Sequence, residues 1–190
     1  MRMRFKAVAA ALLATVSLQG VASAETVLRL DEVPVGELDP AKASDYADSI
    51  LMFNLYDTLV IPKAGQPGFD PFLATGWETD GKSYTFKLRT DVKFQSGNPL
   101  TADDVVFSFQ RMQALGQGLS YLFTDVEKAE AIDPATVKFT MKQPYAPFIA
   151  ALSRLPVIDK KLVAENLGAG DGEMKDWGQG YLSTHAAGSG

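Results

Sequence analysis

Apolar and polar residues alternate over 83–89, with Tyr84, Phe86 and Leu88 on one side and Lys87 and Arg89 on the other, a pattern that predicts a half-buried strand. Asp80-Gly81 is a strong turn signal and separates this run from a short extended one at 76–79, so the two read as a hairpin. "DVKF" continues as another short extended piece, and "SGNP" turns the chain. The period then changes. Thr101 stands where a helix N-cap belongs, Asp103 and Asp104 fall in the first turn, and Val105, Phe109 and Met112 form an apolar stripe on the helix body. The two aspartates read as capping and compensation of the helix dipole. Neighbours in sequence do not face each other across a site, so they make a poor catalytic pair.

The same reading extends in both directions. "TVLRLD" at 26–31 predicts a first strand, and Pro34, Gly36 and Pro40 keep the following segment a loop until about Ala41. A helix is expected from Ala43, with Ser44 or Asp45 as its cap, carrying Ile50, Phe53, Asn54 and 56–59 at near-helical spacing. Residues 61–74 are broken by Pro62, Gly65, Pro67, Gly68 and Pro71 and read as a surface loop. Alternating runs at 126–132 and 136–141 around Asp133-Pro134 predict a second hairpin. Short helices interrupted by Pro156 and a glycine-rich, flexible connector, "LGAGDGEMKDWGQG", complete the pattern, which contains no internal repeat. Strands paired in hairpins and joined to helices make a mixed α/β chain of the α+β kind. Its aromatic residues are read as core between sheet and helix, except Tyr46, expected on a loop beside Asp45.

The first 24 residues stand apart. Arg2, Arg4 and Lys6 precede an apolar run of 12 residues, and Ala22-Ser23-Ala24 forms a small-residue cleavage signal before Glu25. A membrane-spanning helix needs about 20 apolar residues. Residues 1–24 therefore read as a cleavable export signal and 25–190 as the mature chain, located in the periplasm. Formal charge is -5 for the whole chain, from 18 basic and 23 acidic residues. Without the three basic groups of 1–24 it becomes -8, that is 15 minus 23. An acidic chain lacks the basic patch that nucleic acid requires, so no nucleic-acid partner is expected. The absence of cysteine rules out disulfides, thiolate metal sites and a lipid-bearing cysteine after the signal.

Catalytic chemistry is not written in the chain. His185 is the single histidine, and no G-x-S-x-G elbow stands behind a strand. "GAGDG", 168–172, lacks both the lysine of a phosphate-binding loop and the G-x-G-x-x-G spacing. No calcium-loop spacing occurs. Neither a metal nor any other cofactor is expected.

"LYDTLV", "FLATGWETDGKSYTFKLRTDVKFQSGNPLTADDVVFSFQRM", "VKFTMKQPYAPFIAAL" and the terminal "AAGSG", in that order, resemble the extracytoplasmic solute-binding proteins of ABC importers, the family 5 group of periplasmic dipeptide-, oligopeptide- and nickel-binding proteins. The resemblance implies a fold like that of type II periplasmic binding proteins, with a partial first lobe and an auxiliary α+β domain. The expected division is 1–24 signal, 25–50 start of the first lobe, 51–180 auxiliary domain and 181–190 a truncated return to the first lobe, the second lobe being absent. Family members are longer, and the return segment "NPxGTGPY" is matched here only by its glycine-centred part, Gly188, Ser189 and Gly190.

The resemblance further implies a non-catalytic protein that captures a small solute and delivers it to an ABC permease in the inner membrane. Peptides rank first as solute, followed by opines, sugars and metal chelates, and a monomer is expected. The early loop and the return segment would line the first lobe's side of the ligand. Those positions are 43–46 and 188–190 here, so Ser44, Asp45, Tyr46 and Ser189 are expected nearest the ligand. Two other classes remain open. A secreted hydrolase such as a peptidase would need a paired nucleophile and base, which is not found. A free-standing interaction or folding-helper protein would use exposed strand edges.

Overall fold

The computed structural model describes residues 36–190, so the export signal and the first strand expected at 26–31 lie outside the described residues. The centre is a four-stranded antiparallel sheet in the order β3-β4-β6-β5, built from the two expected hairpins. Strands β3 (Ala74–Thr79) and β4 (Ser83–Leu88) form the first, and β5 (Val126–Asp133) and β6 (Thr136–Met141) the second. The hairpins join through β4 and β6, where Tyr84 pairs with Phe139 and Phe86 with Val137. That register puts Tyr84, Phe86, Val137 and Phe139 in the core, while Lys87 and Arg89 stay exposed.

Helix α2 (Ala102–Leu115) covers the buried face of this sheet. It starts at Thr101, whose N–H and hydroxyl both donate to Asp104 Oδ2 at 2.8 Å, and stops at Gly116 in the left-handed region. Ala102, Val105, Phe109 and Met112 pack into the sheet core. Phe109 meets the Phe139 ring edge-on at 5.7 Å and the Phe123 ring at 6.2 Å.

A second side of α2 is buried as well, which the sequence pattern does not announce. Asp104, Phe107, Ser108 and Arg111 recur at helical spacing and are all buried. They face a third layer of α1 (Tyr46–Leu55), α4 (Lys160–Glu165) and α5 (Gln179–Leu182), whose apolar cluster includes Met52, Tyr56, Val163 and Leu182 with Phe107. Polar anchors fix the layer: Ile158 N–H donates to Ser108 Oγ at 3.0 Å and Lys160 N–H to Asp104 Oδ1 at 3.0 Å. Burial, helped by the nearby charge of Asp159, raises the Asp104 carboxyl against those donors. Asp159 caps α4 through Leu162 N–H and also accepts from Ser96 Oγ and Asn98 Nδ2, so the "SGNP" turn is tied to this layer.

Four expectations change. Residues 61–74 are not all loop: β1 (Val60–Pro62) pairs with β2 (Phe69–Pro71) as a separate two-stranded ribbon. Each strand of a two-stranded ribbon has a free edge, and a proline without an N–H is tolerated there. α1 ends at Leu55 rather than continuing through 56–59, because Tyr56 is extended and its N–H closes the last helical bond to Met52. Tyr46 is the first residue of α1, not a loop residue, and Phe72 and Tyr121 are exposed rather than core. Finally, the glycine-rich stretch is a packed turn and not a flexible connector. Asp176 gathers the N–H groups of Gly168, Gly178 and Gly180, and Gly178, at φ 68, leaves no room for a Cβ against Val163.

Candidate functional site

Asp45 begins the site by capping α1, its Oδ1 accepting from Asp48 N–H at 2.9 Å. The Asp48 carboxylate in turn accepts from Gly36 N–H at 2.9 Å and Glu37 N–H at 3.1 Å, holding the preceding loop against the helix. Farther along that loop Asp39, buried, takes a paired contact from Arg111 of α2. The segment leading to Ser44, Asp45 and Tyr46 is therefore fastened to rigid elements at two points. Rigid support of this kind fixes where short polar side chains can reach.

Ser44, Asp45 and Tyr46 open onto a depression of about 270 Å3, whose far wall is Leu119, Tyr121, Leu122 and Arg154. Tyr46 is 83% exposed and Tyr121 64%, a high value for such large rings. Arg154 lies just beyond α3 (Phe148–Leu152). Its guanidinium carbon stands 5.1 Å from the centre of the Phe53 ring, which steadies the side chain over α1. Among the described residues no carboxylate is in ion-pair contact with Arg154, in contrast to Lys63, Arg89, Arg111 and Lys128. A narrower cavity of about 30 Å3 adjoins the depression and shares Ser49, Leu119 and Arg154 with it. Tyr56 lines this cavity, and burial pushes its phenol up to about 12, so it stays protonated.

Ser189 lies elsewhere. Its hydroxyl donates to Asp57 Oδ2 at 2.9 Å, beyond the C-terminal end of α1. Gly188 presses against that end so closely that a Cβ would collide with the Leu55 carbonyl oxygen, and Gln95 N–H donates to the Gly188 carbonyl at 2.9 Å. A helix of 10 residues is about 15 Å long, so Ser189 and the trio at 44–46 are separated by roughly that distance along α1. The structure brings the trio together with Tyr121 and Arg154, and not with Ser189.

Tyr121 and Arg154 line the depression, and the sequence pattern singles out neither. Tyr121 stands among aromatics expected in the core, and only its exposure marks it. Arg154 follows an apolar helix, and nothing local distinguishes it from an ordinary surface arginine. His185 stacks on Tyr181 with ring centres 4.5 Å apart and belongs to a surface turn. Among the described residues no group of three or more His, Asp or Glu side chains is arranged to hold a metal ion, and no helix is long and apolar enough to cross a membrane.

Comparison with known proteins gives the family. The profile of the bacterial extracellular solute-binding proteins, family 5, middle region, matches residues 68–190. The chain belongs to this family. It is 35% identical over 161 residues to the probable D,D-dipeptide-binding periplasmic protein DdpA of Escherichia coli K12, covering 80% of this chain and 30% of that protein. Among solved structures it is similar to the periplasmic binding protein DppA of Helicobacter pylori in complex with the peptide STSA, at 30% identity and a TM-score of 0.66, covering 82% of this chain and 33% of the other. NikZ of Campylobacter jejuni, in complex with Ni(L-His), aligns with a TM-score of 0.68 at 25% identity, covering 84% of this chain and 30% of that one. This family 5 chain thus spans about a third of the length of the relatives it matches, and its mixed α/β fold is that of periplasmic binding proteins.

Proposed function

We propose that this family 5 chain is part of the solute-binding component of an ABC importer, and that it captures small peptides without catalysis and hands them to a permease. The observation that carries the reading is the depression at the start of α1, which exposed Tyr46 and Tyr121 line together with Ser44, Asp45 and Arg154. Aromatic faces with a few fixed polar groups suit a peptide, which offers both apolar side chains and backbone donors and acceptors. The likeness to a probable D,D-dipeptide-binding protein and to a binding protein solved in complex with a peptide supports the choice of solute.

The reading includes export by residues 1–24 to the periplasm and a site completed by a second lobe outside this sequence. Residues 25–50 and 181–190 then belong to the first lobe and 51–180 to an auxiliary domain. Ser44, Asp45 and Tyr46 line the ligand directly. Ser189 sits on the same lobe at the other end of α1, within reach of a longer ligand.

A one-sided site leaves much of a ligand in water, so few desolvated contacts offset the entropy lost on association. Peptides should therefore bind this chain at about millimolar strength, roughly -4 kcal/mol. Titration of isotope-labelled protein with di- and tripeptides, followed by chemical shifts, tests this. Shifts clustered at 44–49, 119–122 and 154 are expected. Micromolar binding would mean that the site is complete within these residues, and shifts confined to other surfaces would overturn the location.

A further inference from the structure

Within the proposed peptide site, the feature left unexplained by packing is Arg154. We propose that Arg154 is the specificity-determining residue of this depression and that it selects solutes bearing a carboxylate on the end that enters between Tyr46 and Tyr121. The inference rests on the reading of the depression as a solute site and adds the chemical class of its ligand.

Three observations converge on it. Arg154 is exposed and lines both the depression and the narrower cavity beside it, so an incoming group meets it from either space. No carboxylate of the described residues is in ion-pair contact with it, although the chain carries more acidic than basic groups. Its planar fork is held by the Phe53 ring at 5.1 Å, which lowers the side-chain entropy lost when it engages a ligand.

The other charged group at the rim is Asp45, whose Oδ1 accepts from the Asp48 N–H at 2.9 Å while the carboxylate keeps its charge. Ser44 adds a neutral hydroxyl to the same wall, while the Ser49 hydroxyl donates to the Asp45 carbonyl at 2.6 Å. An anion entering here meets one fixed cation, the Ser44 hydroxyl and two aromatic rings, and the Asp45 carboxylate, as a like charge, turns it toward Arg154. A guanidinium presents paired N–H donors that match the two oxygens of a carboxylate.

The test compares Ala-Ala-Ala with its C-terminal amide on the wild-type protein and on Arg154→Ala and Arg154→Lys. Wild type is expected to bind the free acid about tenfold more tightly than the amide, which corresponds to about 1.4 kcal/mol. Arg154→Ala should bind the acid and the amide equally, and Arg154→Lys should keep part of the preference. Ala-Glu-Ala-amide separates the two sources of a carboxylate: recovery of tight binding assigns a side-chain acid, and its absence assigns the chain terminus. Equal binding of acid and amide by wild type overturns the role of Arg154 and leaves the peptide site standing. Binding of neither peptide removes the site and this inference together. An equal loss of both ligands in Arg154→Ala shows a packing role through Phe53, which also overturns the proposal.

Discussion

Arg111 and Asp39 meet side by side, Nη1 to Oδ1 and Nη2 to Oδ2 each at 2.6 Å, with the arginine 1% and the aspartate 0% exposed. The remaining Nε–H of Arg111 donates to the Trp177 carbonyl at 2.7 Å, so a loop, a helix and the glycine-rich turn converge on one guanidinium. The two residues are 72 positions apart.

Removing one partner of this pair leaves the other charge buried without compensation. Asp39→Ala is expected to cost about 3 to 5 kcal/mol, whereas Asp39→Ala with Arg111→Met should recover much of that loss, because a buried pair replaced by apolar groups is often near neutral. Urea denaturation of wild type, single and double variants checks this. A double variant no more stable than the single one would show that the Trp177 contact, not charge pairing, governs the site.

Phe109 tests the sheet side of α2. Its ring is 3% exposed and touches two other rings, so Phe109→Ala should cost about 3 to 5 kcal/mol. Thr101→Ala loses only the helix cap, about 1 kcal/mol. Comparable small losses in both would place the helix in a different register.

Asp176 gives a pH dependence. Burial would raise its carboxyl, but the N–H groups of Gly180, Gly168 and Gly178 outweigh that and hold it below the usual carboxylate value. A carboxyl lowered in the folded state contributes stability above its unfolded value, about 3.9, and that contribution is lost as pH falls through the folded value. Asp176→Asn should therefore melt below wild type at pH 7, with the gap narrowing as the pH falls below about 3.9. Thermal scans across that range decide; a constant gap would assign the loss to geometry alone.

Processing offers an independent check on residues 1–24. Mass spectrometry of protein recovered from the periplasm should find Glu25 as the first residue and no acyl mass. A retained signal or a lipid would contradict the cleavage reading.

The hairpins and α2 were legible because their signals are local: alternation in 83–89 and 136–141, turn residues at Asp80-Gly81 and Asp133-Pro134, and a capped apolar stripe at 101–112. The ribbon of β1 and β2 was hidden by its own prolines, which normally mark loops. The second buried side of α2 was hidden because three of its four residues, Asp104, Ser108 and Arg111, are polar, and the partners that tie them to the third layer lie at least 50 positions away. For the site, Ser44, Asp45 and Tyr46 came from the resemblance and do share a concave surface. Ser189 came from the same source and lies at the opposite end of α1. Tyr121 and Arg154 depend on how the end of α2 and the turn after α3 approach α1, which no short window of sequence contains.

The double burial of α2 also bears on the order in which the chain assembles. The sheet and α2 come from one continuous stretch, 74–141, whereas the layer on the other side of the helix is gathered from residues before and after it and closes through hydrogen bonds between distant positions. Loop closure must precede those bonds, so the layer is expected to assemble after the sheet and α2. In native-state hydrogen exchange the amides of Ile158 and Lys160 should open at lower free energy than those of Phe86 and Phe139. The aromatic depression spans both halves, with Ser44, Asp45, Tyr46 and Ser49 on the layer and Leu119, Tyr121 and Leu122 on the continuous stretch, so an opening of the layer would part its walls while the sheet stays closed.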